Sequence, residues 1–207
     1  LLRARWPCRR FLSIHDRRNR RMPLRIIAGE LKGRRLRTLA GLRTRPTAER
    51  TREAIFNILG PAVRSAHLLD LFAGTGAYGI EGLSRGADSA VFVEVDRAAC
   101  GVLTANLQTC GLTGRARVLR WDAARNLDCL RHHAARFQLV FMDPPYGRGL
   151  LAPALAHLVC SGCVADGARI VVEHDAADPL PEPAAPYLLQ DRRRYGRTLV
   201  SFLTFVL

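Results

Sequence analysis

The hydrophobic positions change rhythm once along the chain. Over residues 24–39, short apolar–polar alternations surround Gly29 and Gly33, the pattern of a small hairpin. Residues 41–46 read as a loop. Thr47 then opens a helix whose apolar stripe is Ala48, Ile55, Phe56 and Leu59; Arg45, Arg50 and Arg52 lie near or off that stripe, and Pro61 ends it. From residue 67 onward, apolar runs alternate with helical periodicity. Strands are expected over residues 67–72, 89–95, 116–121, 137–142 and 168–173. Helices are expected from the glycine-rich turn to about residue 85, over 97–110 with Gly111 as the stop, over 123–134 and over 150–160. Residues 187–193 and 198–206 form a terminal hairpin around Tyr195-Gly196.

Repeated strand–helix units imply an α/β fold with a mostly parallel sheet and helices on both faces. The terminal hairpin adds an antiparallel edge. The 207 residues suit one domain with an extension, and a 48% hydrophobic content is enough for a core. The organisation expected is a basic, disordered extension (1–21), a basic hairpin and helix (22–60) and an enzymatic domain (61–207). No apolar run is long enough for a membrane-spanning helix.

Charge sharpens this division. Residues 1–60 hold 17 Lys and Arg against 4 Asp and Glu, and the other 147 hold 15 against 14, so nearly all of the net charge of +14 sits at the N-terminal end. A neutral globule with a basic segment suits a polyanionic partner, although a solubilising tail has the same signature. Lys32 is the sole lysine, and arginine forks onto phosphate and stacks on bases. Residues 1–21 are Arg-rich without apolar periodicity and begin with Leu; Met22 is the more natural start, and the segment reads as an over-extended frame rather than a transit-like peptide or RNA-binding arm. The six cysteines lack disulfide-framework spacing, which points to the reducing cytoplasm. Cys160 and Cys163 form a lone CxxC without further ligands, His132 and His133 are expected on a helix surface, and no metal is expected.

Two loops carry candidate chemistry. The first, Asp70-Leu71-Phe72-Ala73-Gly74-Thr75-Gly76-Ala77-Tyr78-Gly79, joins the first strand to its helix, where ligands of open α/β sheets bind. Gly74, Gly76 and Gly79 also satisfy a dinucleotide fingerprint, with Glu94 at the spacing of a ribose-binding acid. Three features favour S-adenosylmethionine instead. Asp70 suits a cationic amino-acid group better than a pyrophosphate, Asp122 after the third strand can accept from an adenine amino group, and the loop after the fourth strand fits methyl transfer. Phe72, Ala73, Gly74 and Gly76 complete the candidate cofactor set with Asp70, Glu94 and Asp122. For each acid, a strand-end cap is the simpler explanation to be weighed.

The second loop is Asp143-Pro144-Pro145-Tyr146-Gly147. Its prolines fix their own φ angles and donate no N–H, so their carbonyls are available to a ligand. The exocyclic nitrogen of a nucleobase is a poor nucleophile because its lone pair is delocalised into the ring. A carboxylate (Asp143) and a carbonyl (Pro144) accepting from that amino group draw it toward tetrahedral geometry and free the lone pair. Tyr146 can stack on the base, which must be unpaired or flipped to enter.

These loops, together with Arg25-Ile26-Ile27-Ala28-Gly29, Lys32-Gly33-Arg34, Arg45-Pro46-Thr47, Arg50-x-Arg52-Glu53-x-x-Phe56-Asn57, Glu94-x-Asp96-Arg97 and Arg148-Gly149-Leu150, make residues 24–206 resemble the bacterial RsmD family of 16S ribosomal RNA guanine-N2 methyltransferases. The resemblance implies a Rossmann-like domain, S-adenosylmethionine as cofactor, and a guanine of small-subunit ribosomal RNA, partly assembled into its subunit, as substrate. It implies that Asp70, Gly74 and Glu94 contact the cofactor and that Asp143 and Tyr146 act on guanine. The Arg120-Trp121-Asp122-Ala123 region matches less well. Arg25, Lys32, Arg34, Arg35, Arg45, Arg50 and Arg52 are the expected phosphate contacts, and Arg192, Arg193, Arg194 and Arg197 a second basic patch. The competing readings are a DNA adenine or cytosine amino-methyltransferase, a non-catalytic RNA-binding assembly factor and a dinucleotide oxidoreductase.

Overall fold

A computed structural model describes residues 24–39, 46–131, 133–177, 180 and 185–207. The expected extension over residues 1–21, Arg45 and His132 lie outside the described residues.

Seven strands form one sheet in the order β3-β2-β1-β4-β5-β7-β6. They are β1 (His67–Leu71), β2 (Ser89–Glu94), β3 (Ala116–Arg120), β4 (Phe137–Met142), β5 (Val164–Asp175), β6 (Tyr187–Tyr195) and β7 (Thr198–Phe205). The first five are parallel, and β7 and β6 close the far edge antiparallel. The helices are α1 (Pro46–Leu59), α2 (Ala77–Ser84), α3 (Arg97–Cys110) and α4 (Leu151–Ser161). None among the described residues is long and apolar enough to cross a membrane.

Each face of the sheet has its own core. One packs Ile55, Phe56 and Leu59 of α1, Ile80 and Leu83 of α2 and Leu103 and Leu107 of α3 with Leu68, Phe92 and Phe141 of the sheet. The other packs Leu151, Ala154, Leu155 and Leu158 of α4 on Leu69, Val91, Val140 and Ile170. Each such Leu, Ile or Phe contributes about 1.5–3 kcal/mol relative to leaving it in water. Local signals place the helix ends: the Asp96 carboxylate accepts from the Ala99 N–H at 2.7 Å to start α3, and Gly111, at φ +70°, stops it.

Residues 24–39 fold as a very short hairpin. Its ladder consists of Ile26 N–H to Arg34 O (3.0 Å), Gly33 N–H to Ile26 O (2.8 Å) and Leu36 N–H to Leu24 O (2.8 Å). Leu24, Ile26 and Leu36 join the first core, so the hairpin is packed against the sheet's helices. Glu81 of α2 fastens it: this carboxylate, 1% exposed, accepts from the Ile27 and Ala28 N–H groups at 2.8 and 3.0 Å. Gly29 lies so close to α2 that a Cβ there would fall 1.8 Å from the Ser84 carbonyl oxygen, so only glycine permits the approach. Asn106 of α3 makes a second attachment, accepting from Arg37 N–H and donating to Arg37 O.

Four expectations need correction. Of residues 123–134, the described ones (123–131, 133 and 134) are not a helix; they include turns and one 3-10 turn, Asp128–Leu130. Short polar side chains compete with the helix there: Asp122 accepts from Ala124 N–H, and Asn126 accepts from both Asp128 N–H and the Trp121 indole N–H. His133 consequently has no helix surface to occupy; its Nδ1 lies 2.9 Å from Ala135 O and its ring tilts against Phe137. Strand β5 begins at Val164, before the expected residue 168, because its register with β4 shifts between Phe137 and Leu139 and absorbs the extra residues.

The fourth correction concerns Arg52, expected as a phosphate contact. Its side chain is 4% exposed, and its Nε lies 3.8 Å from Glu81 Oε2. Another guanidinium nitrogen donates to Arg25 O at 2.8 Å. Position 52 faces the same way as Ile55, Phe56 and Leu59, so helical geometry carries it inward.

Candidate active site

The strand order reverses between β1 and β4, and the site lies at the carboxyl ends of the strands on either side of that switch. Register brings the ends together: Leu71 pairs with Met142, and Met142 with Val172. One residue before Leu71, one after Met142 and one after Val172 are Asp70, Asp143 and Glu173. Asp143 and Glu173 are therefore neighbours across strands spaced about 4.8 Å apart, and Asp70, paired with Phe141, lies two residues further back in register. Glu94 at the end of β2 and Asp122 just past β3 add two more acids at the strand ends.

The glycine loop leaves β1 through a chain of left-handed residues: Phe72 at φ +61°, Gly74 at +54° and Gly76 at +86°. Such a conformation is strained for an aromatic residue and persists only where the surroundings impose it, as at ligand sites. The loop is braced from both sides. Asp70, 2% exposed, accepts from Gly79 N–H at 2.8 Å. Glu94 accepts from Gly74 N–H at 2.7 Å and Asp96 N–H at 2.8 Å. Gly74 has open space where a Cβ would stand, so the loop's backbone is accessible from outside. Ala73 is buried beneath it, and Asp122 is half-buried, with one oxygen accepting from Ala124 N–H.

Burial pushes the Asp70 carboxyl up to about 8; the Gly79 N–H opposes this and the Glu94 charge adds to it. Asp143 is also raised, by surrounding protein first and then by the charges of Glu173 and Asp70. The residue is nonetheless open to solvent, so water moderates that shift. Pro144 is buried at the base of the loop, while Tyr146 is 42% exposed. A cleft beside them is lined by Pro144, Tyr146, Leu150, Glu173, His174 and Asp175.

Two site residues escaped the sequence reading. Glu173 accepts from the Tyr146 hydroxyl at 3.1 Å through Oε1 and from the Tyr78 hydroxyl through Oε2. The Tyr78 ring stacks on Phe141, with centroids 5.2 Å apart. Glu173 did carry a signal: it is the first acid after the apolar run Ile170-Val171-Val172 of β5, as Asp143 is after the apolar run of β4. Tyr78, within the glycine motif, was hidden by the glycines around it.

The expected phosphate contacts divide. Lys32, Arg34, Arg35 and Arg50 are exposed, as is Arg25, whose Nε meets Glu49 at 2.7 Å. Arg34 also donates to Thr109 O, one of the last carbonyls of α3, at 2.6 Å. In the second patch, Arg193 pairs with Asp191 and Arg197 with Asp175.

Residues 24–204 match the family described as Conserved hypothetical protein 95. The chain is 39% identical over 178 residues to the putative rRNA methyltransferase YlbH of Bacillus subtilis, an alignment covering 86% of this chain and 97% of that one. It is likewise 39% identical over 174 residues to Ribosomal RNA small subunit methyltransferase D of Escherichia coli K12, covering 84% and 86%. The solved structure of the putative methyltransferase yhhF from Escherichia coli superposes with a TM-score of 0.79 at 36% identity, covering 89% of this chain and 99% of that one.

Proposed function

The chain belongs to the RsmD family of Rossmann-like methyltransferases, and from that premise we propose that it uses S-adenosylmethionine to methylate the exocyclic N2 amino group of a guanine in 16S ribosomal RNA, within an assembling small subunit in the cytoplasm. The observation that carries this reading is the placement of Asp143-Pro144-Pro145-Tyr146 directly beside the glycine loop, across the β1–β4 switch point.

The residues of the glycine loop fit the cofactor. Open backbone at Gly74, with Phe72, Ala73 and Gly76 shaping the turn, admits a ligand closely, and Asp70 offers negative charge to a cationic one. Glu94 keeps spare lone pairs for ribose hydroxyls, and Asp122 one oxygen for an adenine amino group. S-adenosylmethionine supplies an electrophilic methyl group on a sulfonium. The protein supplies the rest. Asp143 and the Pro144 carbonyl hold the amino group and free its lone pair, Tyr146 supports the base from its face, and no covalent enzyme intermediate is required. Charge-assisted hydrogen bonds of the Asp143 kind are worth roughly 1.5–3 kcal/mol each and strengthen as positive charge develops on nitrogen.

Labelled S-adenosylmethionine offered with unmethylated small subunits and, separately, with duplex DNA tests this reading. Label in subunit RNA supports it; label only in DNA replaces it with a DNA amino-methyltransferase, and no cofactor binding favours a non-catalytic RNA-binding factor.

Asp70 makes a proton-linkage prediction. With its carboxyl raised to about 8, it is largely protonated at pH 7 in the free protein. A cationic ligand stabilises the carboxylate and lowers that pKa, so binding releases a proton. Calorimetry at pH 7 in two buffers of different ionisation heat should detect this release, and Asp70→Asn should abolish it. Proton uptake on binding would contradict the assignment.

The basic hairpin supplies non-specific RNA affinity. Replacing Lys32 and Arg35 with alanine is expected to lower the slope of log affinity against log salt by about 1 for each phosphate no longer neutralised. An unchanged slope removes these residues from the interface.

A further inference from the structure

Glu173 on β5 stands level with Asp143 just past β4, yet activating an amino group needs only Asp143 and the Pro144 carbonyl. Its carboxylate is held from two sides by phenols. Tyr78, immobilised against Phe141, donates to Oε2, and Tyr146 donates to Oε1 at 3.1 Å. The Tyr146 hydroxyl also lies 3.3 Å from Thr198 Oγ1 on β7, which limits its swing. Burial and then the Glu173 charge raise the pKa of both phenols, so they stay protonated and remain donors. Glu173 is thus a fixed acceptor that lines the cleft next to Pro144 and Tyr146. Each carboxylate oxygen has two lone pairs, so two phenol bonds leave acceptor capacity facing the cleft.

The motif around Asp143 reads only an amino group, which guanine, adenine and cytosine share. The neighbouring ring atom differs among them. Beside N2, guanine carries an N1–H donor. Beside their amino groups, adenine presents the N1 lone pair and cytosine the N3 lone pair. A second, fixed carboxylate next to the amino-binding carboxylate attracts the first and repels the other two.

We propose that Glu173 is a specificity-determining residue that accepts the N1–H of guanine while Asp143 and Pro144 hold its N2 amino group. This rests on the proposed RNA-guanine methylation and adds the residue that selects guanine. Selection of this kind is steep, because a wrong base leaves a polar group of the site facing a like partner.

The test uses reconstituted small subunits carrying either guanine or 2-aminopurine at the methylated position, once mass spectrometry has mapped it. The analogue keeps the N2 amino group, replaces N1–H with a lone pair and lacks O6; because the O6 loss is common to every variant, the change in preference between native and Glu173 variants reads the N1 contact. In single-turnover transfer, the native enzyme is expected to prefer guanine by on the order of 100-fold or more. Glu173→Gln should lose about 100-fold on guanine while its rate on 2-aminopurine holds or rises, since an amide N–H can donate to the N1 lone pair. Glu173→Asp, which keeps a carboxylate, should retain a preference for guanine. S-adenosylmethionine affinity, measured by calorimetry, should be unchanged in both variants. An equal loss on both bases, or no loss on guanine, overturns the role of Glu173. Failure of the native enzyme to methylate guanine-containing subunits overturns the RNA-guanine reading, and this inference with it.

Discussion

Asp143→Ala is expected to lower methyl transfer by about 10³-fold, the upper range for removing one preorganised hydrogen-bonding partner of a transition state. S-adenosylmethionine affinity should change no more than a few fold. The two effects separate because Asp143 belongs to the β4 loop, whereas the candidate cofactor residues belong to β1, β2 and the segment after β3. Alanine removes the charged acceptor and leaves the Pro144 carbonyl, so the amino lone pair stays delocalised and positive charge develops without compensation. Asp143→Asn keeps one acceptor without its charge and should fall between the native enzyme and alanine. Single-turnover rates beside calorimetric affinities read both quantities. A fall in affinity as large as the fall in rate would assign Asp143 to cofactor binding instead.

Glu81→Ala is expected to cost stability rather than chemistry. This carboxylate accepts from Ile27 and Ala28 N–H and from Arg85 Nε at 2.7 Å, and it faces the buried Arg52 guanidinium. Burial pulls the Arg52 pKa down, and the Glu81 charge is the main opposing influence. Removing Glu81 leaves a buried cation without its counter-charge, a loss of roughly 3–5 kcal/mol. For a domain of this size that is on the order of 10 °C in Tm. Replacing Glu81 and Arg52 together with methionine should recover part of the loss, because no unpaired charge remains. Thermal unfolding of the single and double variants measures both. A Glu81→Ala shift of only a degree or two would show that the hairpin is held by its apolar side chains and its other attachments, not by Glu81.

Much of this architecture is legible in the sequence because the signals are local. The α3 helix starts at an Asp cap and stops at a left-handed glycine, so residues 97–110 are recognisable without any tertiary information. The β-α rhythm implies the parallel sheet, and the turns after β1 and β4 mark where ligands enter. Illegible features depend on contacts between distant residues. Arg52 and Arg50 are both arginines of one helix in a basic segment, yet one is buried against the distant Glu81 and the other is exposed. Residues 123–134 carry helical periodicity through Leu127 and Leu130, but side chains of Asp122 and Asn126 take the backbone donors first. Glu173 gained its meaning only when the parallel register set it beside Asp143 and delivered two phenols to it.

The central claim is the identity of the methylated atom, and the most direct measurement is mass spectrometry of nucleosides from small-subunit RNA after incubation with the enzyme and S-adenosylmethionine. The account predicts one new N2-methylguanosine, absent with Asp143→Ala. A new N6-methyladenosine or N4-methylcytidine in its place, or an unchanged product with Asp143→Ala, would contradict it.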